Sequence, residues 1–352
     1  MNETITHWAG IDVSKKTFDI SIVFHGQHYP ETQLRDIPSE EFPRTPEGVL
    51  QSLQWLDGKL AAKGAAPEEG LRAIMEATGK YSLELTAMLL EQRPSVLPAI
   101  VNGQRARCFF KSMGLRGKTD KMDARAMGLY GVERRPAPHE PLTPEWETLR
   151  KLSRYRDFLV AEQTAAGNRE DVLESDKTVR QMAKRRAAQY ERDIKKIETT
   201  IQEHIEKSAD LKRDYDLLTS IPGVGFVTAC VMLAELGDLR RFDRARKLTA
   251  FAGVCPSEYD SGDSVHKAPR MSKCGNERSR QALYMAAITA ARMAGPLKDD
   301  YMRMIGAGKA RKAALGMLMR KLLVLMRALL ISGKPYDKNF RAGGKPCGKL
   351  AA

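Results

Sequence analysis

The sequence predicts an α/β N-terminal domain, a charged helical middle and a mostly α-helical C-terminal domain. Three observations carry that reading. Short apolar runs alternate with helical spacing over the first 135 residues. A proline-dense stretch, Arg135-Pro136-Ala137-Pro138-His139-Glu140-Pro141, then removes backbone donors and favours extended chain, as a linker does. Beyond it the spacing is helical and broken by glycines. The boundaries that follow are residues 1–142, 143–212 and 213–352.

Taken in order, residues 7–24 (HWAGIDVSKKTFDISIVF) read as an apolar run, a Ser-Lys-Lys turn and an alternating run, which is a β-hairpin pattern. Residues 71–75 form a short apolar strand. Residues 77–92 have helical spacing, with Leu83, Leu85, Met88, Leu89 and Leu90 as the apolar face. A second short strand is expected over 95–101 and a helix over 120–132. In the middle region Tyr190, Ile194, Ile197, Ile201, Ile205, Ser208 and Leu211 recur at three- and four-residue steps. This heptad-like seam is short for a coiled coil but suits either a helical hairpin or a dimer contact. In the last third, Ser220-Ile221-Pro222-Gly223-Val224-Gly225 has the form of a helix-hairpin-helix turn, whose glycines let backbone N–H groups approach a phosphate. A simple tight turn explains the same residues equally well.

The formal net charge is +14, from 58 Lys and Arg against 44 Asp and Glu, which favours a polyanionic partner with nucleic acid first. The charge is uneven. From residue 301 to 336 there is no acid, while Arg303, Lys309, Arg311, Lys312, Arg320, Lys321, Arg327 and Lys334 all fall there. A one-signed segment repels itself unless a polyanion neutralises it, so phosphate contacts are expected in this tail. The five cysteines make no CxxC pair or cluster, so no zinc site is expected, and their odd count argues against a secreted disulfide framework and fits a reducing cytosol. The start lacks the n- and h-regions of a signal peptide. The longest apolar run, LLVLMRALLI, falls well short of the ~18 residues of a membrane span and contains Arg327. A cytoplasmic protein without membrane contact is the expectation.

Four acids stand out by position. Asp12 lies in the first strand, Glu76 ends the strand at 71–75, and Asp120 and Asp123 are three apart on a predicted helix, where both leave one face. Strand-borne acids with a helix-borne pair are the ingredients of a two-metal phosphodiester site, and hard oxygen donors suit Mg²⁺ or Mn²⁺. Each acid alone has a plainer explanation: a turn residue at Asp12, a helix-end charge at Glu76, an N-cap at Asp120 with a capping box at Asp123.

The segments GIDVSK, MEATGKYS and GLRGKTDKMDARAM resemble the N-terminal DEDD domain of a family of bacterial insertion-sequence transposases: RuvC-like, bridge-RNA-guided recombinases related to Piv-type DNA invertases. The resemblance implies an RNase H-like fold whose metal ligands are Asp12, Glu76, Asp120 and Asp123. Further on, FAGVCPSEYDSGDSVHKAPRMSKCGNERSRQALYMAA is similar to that family's C-terminal transposase domain. From its residues alone this stretch is a basic, glycine-broken loop in which Ser261 is no better a nucleophile than Ser264 or Ser272. The resemblance singles out Ser261 as the group that forms a covalent phosphoserine link to DNA, with Tyr259 a distant rival on chemical grounds. Asp263 departs from the small uncharged residue usual at its place.

The expected function is therefore transposase or site-specific recombinase of an insertion sequence. Asp12, Glu76, Asp120, Asp123 and Ser261 form its candidate catalytic set. Gly223, Gly225, Lys267, Arg270, Lys273, Arg278, Arg303, Lys309, Arg311, Lys312, Arg320 and Lys321 are the candidate nucleic-acid contacts. The resemblance also implies DNA and a structured guide RNA as partners, and a homodimer or homotetramer. Two other readings stand beside it: a RuvC-like structure-specific nuclease using activated water, and a non-enzymatic nucleic-acid-binding protein.

Overall fold

Alternation near the N-terminus builds the centre of a mixed sheet. In the computed structural model, which describes residues 6–27, 31–65, 70–114, 119–172, 177–261 and 265–339, β1 (His7–Val13) and β2 (Thr17–Val23) form the antiparallel hairpin that the sequence predicts. Ser14 Oγ closes its turn by donating to the Thr17 carbonyl at 2.8 Å. β3 (Ser39–Pro43) adds antiparallel to β2, and α1 (Pro46–Ala61) follows. β4 (Leu71–Glu76) pairs parallel with β1 and leads into α2 (Lys80–Gln92). β5 (Ala99–Val101) pairs parallel with β4, and α3 (Gly103–Ser112) and α4 (Asp120–Arg134) complete this unit. The strand order is β3-β2-β1-β4-β5.

β3, α1 and α3 were not among the elements read from sequence. The strand expected over 95–101 is shorter, because Pro94 opens a 3₁₀ turn and Leu97 takes a left-handed φ of 44° before the chain extends.

The sheet is covered on both faces, so its central strands β2, β1 and β4 are buried in nearly every position. Ala9, Ile11, Ile20, Ile22, Ala73 and Met75 pack with Val49, Leu53 and Leu56 of α1 and Leu85 and Leu89 of α2. The opposite set, Trp8, Val23 and Ile74, packs with Ala106 and Phe109 of α3 and Met127 and Tyr130 of α4. On this second face α4 presses directly on the strand. A Cβ at Gly10 would lie 2.1 Å from both the Ala124 carbonyl oxygen and the Gly128 nitrogen, and one at Gly131 would lie 2.5 Å from the Trp8 ring. Ser21 Oγ bridges the same contact, donating to the Ala124 carbonyl at 2.9 Å.

The chain divides at Pro141/Leu142, just past the proline-rich stretch. The second unit opens with two long helices, α5 (Pro144–Val172) and α6 (Lys177–Lys207). They form an antiparallel hairpin, tied by Arg156 to Glu198 at 2.7 Å and by His204 to the Glu145 carbonyl at 2.8 Å. The heptad-like seam therefore serves packing within the chain, with Ile201 and Ile205 buried beside Trp146 and Leu149. The seam does not run unbroken to Leu211. Ser208 leaves helical geometry and caps α7 (Ala209–Thr219), its hydroxyl accepting from the Leu211 N–H at 3.4 Å.

Next come α8 (Phe226–Leu236), α9 (Ala245–Phe251), β6 (Pro256–Ser261), β7 (Val265–Met271), α10 (Glu277–Arg292), α11 (Pro296–Gly306) and α12 (Arg311–Ser332). The helical middle shares one core with these helices, so residues 143–212 are part of the second unit rather than a separate body. Among the described residues no helix is long and apolar enough to cross a membrane, and Cys108, Cys230 and Cys255 are free thiols.

The Gly10–α4 contact yields a direct test. Gly10→Ala forces backbone apart from backbone, and is expected to cost about 3 kcal/mol or more in urea unfolding, at the upper end for overpacking. Gly58→Ala in α1, whose Cβ meets nothing within 4 Å, is the control and should leave stability unchanged or raise it by up to about 1 kcal/mol.

Candidate functional site

Side-chain alternation decides where the N-terminal acids point. Trp8, Gly10 and Asp12 share one face of β1, and the first two meet α4 at Gly131 and at Ala124/Gly128. Strand and helix thus run in opposite directions. One further step along β1 brings Asp12 level with the first turn of α4, which contains Asp120 and Asp123.

The capping alternative fails for both helical acids. Thr119 is the N-cap, accepting from the Met122 N–H at 3.3 Å, so Asp120 is the first helical residue and Asp123 lies beyond the capping-box position. Glu76 follows the Met75–Ile11 pair on the neighbouring parallel strand, on the same face as Asp12. Its carboxylate rests on the start of α3, where a Cβ at Gly103 would lie 2.1 Å from Oε1. Asn102 caps that helix, and its N-terminal dipole favours the anion. Asp12, Glu76, Asp120 and Asp123 are thus brought to one end of one sheet face.

One acid at this place escaped the sequence reading. Asp19 of β2 stands directly opposite Asp12, is only 6% exposed, and its Oδ1 has no hydrogen-bond partner. Burial pushes its pKa up to about 6, with Glu41 of β3 and Asp120 of α4 adding to the effect and Lys121 opposing it. The nearby Arg125 is also partly buried, and its Nε lacks a hydrogen-bond partner. The available signal was TFDIS, an acid on the inward side of an alternating apolar strand.

Among the described residues no three His, Cys, Asp or Glu side chains form a ready-made metal cage. The donor set nevertheless fits Mg²⁺ or Mn²⁺. Such ions commonly use one or two carboxylates and fill the remaining positions with water and substrate phosphate, and a buried carboxylate oxygen without a partner is an open ligand.

In the second unit, the segment read as a basic loop is a β-hairpin. Ser261 ends β6 and pairs with Val265, so it is the last paired residue before the turn. Gly262, Asp263 and Ser264 lie outside the described residues. The available signal was the short Ser-Gly-Asp-Ser run between two short segments. The hairpin base is fastened to the end of α9. The Ser272 N–H donates to the Cys255 carbonyl at 2.9 Å and the Lys273 N–H to the Gly253 carbonyl at 3.2 Å. Lys267 pairs with Tyr259 across the hairpin, Arg270 pairs with Ser257 and is exposed, and Lys273 is exposed with a φ of 55°.

The candidate cations divide into two groups. Lys309, Arg311 and Lys312 are exposed around the start of α12, whose first turn has no acid, and Arg320 is half-buried. Arg303 and Lys321 are both paired with Asp300, just upstream of the one-signed segment. Arg278 is used internally, which runs against its expected phosphate role. It donates to Asp157, to the Ser153 carbonyl at 3.1 Å and to Glu235, a carboxylate 1% exposed that also takes both Arg154 Nε at 2.8 Å and Asn276 Nδ2 at 2.7 Å. Burial pushes the Glu235 pKa up, but the hydrogen bonds and charges of Arg154 and Arg278 hold it below the usual range.

The Ser220–Gly225 turn does join two helices, α7 and α8. Gly223, at φ +91°, is needed for packing: a Cβ there would lie 2.7 Å from the Ala286 carbonyl oxygen and the Ala290 nitrogen of α10. Gly225 opens α8, has nothing within 4 Å of a Cβ, and borders an open groove of about 660 Å³ with Met285, Thr289 and Met293 on its far wall.

Comparison with known proteins bears on both units. Residues 9–173 match the DEDD transposase family of IS110 elements, and residues 215–303 match the family described as Transposase IS116/IS110/IS902. The pilin gene-inverting protein of Moraxella bovis is 27% identical over 332 residues, covering 94% of this chain and 98% of that protein. An insertion element IS110 protein of Streptomyces coelicolor is 34% identical over 129 residues, 36% of this chain and 31% of its own. The transposase of IS1111A from Coxiella burnetii is 36% identical over 86 residues, 24% and 23% of the two chains.

Two outcomes are expected from the charges described. Asp19 binds its proton more tightly in the folded state than at the ordinary 3.8, so between pH 4 and 6 rising pH removes stability. With chelator present, Asp19→Asn should match wild type near pH 4 and exceed it by about 3 kcal/mol well above pH 6, the scale of a two-unit shift. Arg278→Ala should destabilise by about 3 kcal/mol, as loss of a partner from a buried ion pair does, without changing the salt dependence of DNA binding.

Proposed function

We propose, for a chain that belongs to the IS110/IS116 family of DEDD transposases, that it cuts and rejoins the DNA of an insertion element through a covalent phosphoserine at Ser261. The observation that carries this reading is the gathering of Asp12, Glu76, Asp120 and Asp123 at one end of one sheet face, in a chain that is 27% identical to a pilin gene-inverting protein along nearly its whole length. The adjacent parallel strands β1, with Asp12 next to its last residue, and β4, which ends in Glu76, support an RNase H-like first unit.

Ser261 Oγ attacks the scissile phosphorus; the Oγ–P bond forms, the bond to the 3′-oxygen breaks, and the serine proton passes to solvent or a neighbouring base. The released 3′-oxygen takes up a proton. A 3′-hydroxyl of the exchanged strand then attacks the phosphoserine and restores the serine, so the bond energy is conserved and no high-energy cofactor is needed. Mg²⁺ or Mn²⁺ held by the four carboxylates would supply charge stabilisation at the attacking and leaving oxygens. The reading requires serine and carboxylates to meet at one phosphate, within a protomer or across a homodimer or homotetramer.

Phosphate contacts on DNA, and on a structured guide RNA, fall to the cations free of internal partners. Lys309, Arg311 and Lys312 cluster where the α12 dipole is also positive, an arrangement that an anion relieves. Arg270 lies in β7 of the serine hairpin and Lys273 just beyond it; the backbone of Lys267 is also in β7. Gly225 offers the open backbone at the start of α8.

Covalent trapping tests the chemistry. With Mg²⁺, labelled element-end DNA and RNA from the element's flank, wild type should give a denaturation-resistant adduct that both Ser261→Ala and Asp12→Ala lose. Metal-dependent nicking that survives Ser261→Ala without an adduct would instead identify a water-activating nuclease. For the interface, Lys309→Ala/Arg311→Ala/Lys312→Ala should leave Tm unchanged and lower the salt slope of DNA binding by about 3, near 0.9 per phosphate contact.

A further inference from the structure

We propose that Asp19 is a fifth carboxylate of the N-terminal acidic centre, binding the same divalent cation as Asp12; this rests on the metal reading of the four family acids given above. Three observations place it there. Asp19 and Asp12 are directly opposed across the β1–β2 ladder, so their Cβ atoms lie on one sheet face, about 5 Å apart in such pairs. Asp19 is only 6% exposed, and its Oδ1 has no partner. The groups whose charge reaches it come from both flanking elements: Glu40 and Glu41 of β3, and Asp120 and Lys121 of α4.

An opposed pair of like charges destabilises a ladder, and a buried oxygen without a partner adds the desolvation cost of an unsatisfied acceptor. A hard cation between the two strands removes both penalties together, since it neutralises the charges and coordinates the open oxygen. The competing explanation is a structural ion pair with Arg125, whose charge Asp19 also feels. Against it, neither Asp19 Oδ1 nor Arg125 Nε has a hydrogen-bond partner.

The experiment is a Mn²⁺ titration of the full chain without nucleic acid, read by the EPR signal of free Mn²⁺ and by the Mn²⁺-induced rise in Tm. Wild type is compared with Asp19→Asn, Asp19→Glu and Asp12→Asn. The expected result is at least a tenfold weaker Mn²⁺ affinity in Asp19→Asn, the scale on which loss of a supporting carboxylate acts, with a higher metal-free Tm and partial recovery of affinity in Asp19→Glu. Wild-type affinity in Asp19→Asn overturns the inference, and a lowered metal-free Tm or failure to fold assigns Asp19 to Arg125 instead. If Asp19→Asn binds normally while Asp12→Asn does not, only the fifth carboxylate falls. If wild type shows no saturable Mn²⁺ binding, the four-acid reading falls with it.

Discussion

The backbone contact between β1 and α4 is the constraint on which the N-terminal unit depends. A helix normally packs on a sheet with side chains of both elements between them. Here Gly10 and Gly128 remove those side chains, and the Ala124 carbonyl comes close enough to accept from Ser21 on the neighbouring strand. At this distance the helix cannot slide along the strand without backbone clashes. The first turn of α4 is therefore held at the acid-bearing end of β1. Trp8 fixes the other end against Gly131. Interiors are close-packed and transmit such restraint over several residues, so Gly10 and Gly128, which carry no chemistry themselves, set where Asp120 and Asp123 stand.

The second unit is organised differently, around charge rather than small residues. α8 is apolar almost throughout and forms the centre of a helical cluster, yet its next-to-last residue is Glu235, a nearly inaccessible carboxylate. Arg154 from α5 and Arg278 and Asn276 from the start of α10 converge on it, which ties three elements at one point. A charge so placed is stabilising only while its partners are present. Asp214 plays a similar part nearer α7, fully buried and held by Arg240 through two hydrogen bonds. Basic residues that look equivalent in sequence thus divide between internal ties, such as Arg240, Arg278 and Arg327, and surface cations such as Lys309 and Lys312.

Much of the first unit was legible residue by residue. The hairpin at residues 7–23 shows its alternation plainly, and the strand ending at Glu76 is a short apolar run followed by turn residues. α1 and α3 went unassigned, although Val49, Leu53, Leu56 and Leu60 in α1 have clear helical spacing. β3, with three of its five residues acidic or proline, carries no apolar pattern, because it is paired on one side only and exposed along much of its length. The β6–β7 hairpin was hidden for a related reason: a two-stranded ribbon buries little, so its sequence need not alternate strictly.

By itself the sequence determined the alternation of strands and helices, the break at the proline-rich stretch and the positive charge, because each is a local property of residue type and spacing, whereas Ser261 and the four acids as a set were singled out by resemblance. The tertiary structure alone decided which acids share an end of the sheet, because that depends on strand pairing and helix approach between residues about a hundred positions apart. It revealed Asp19, whose proximity to Asp12 comes from ladder register and whose burial comes from α4 and β3. It separated Arg278 from the surface cations, because a guanidinium's role is set by the carboxylates that long-range packing brings to it.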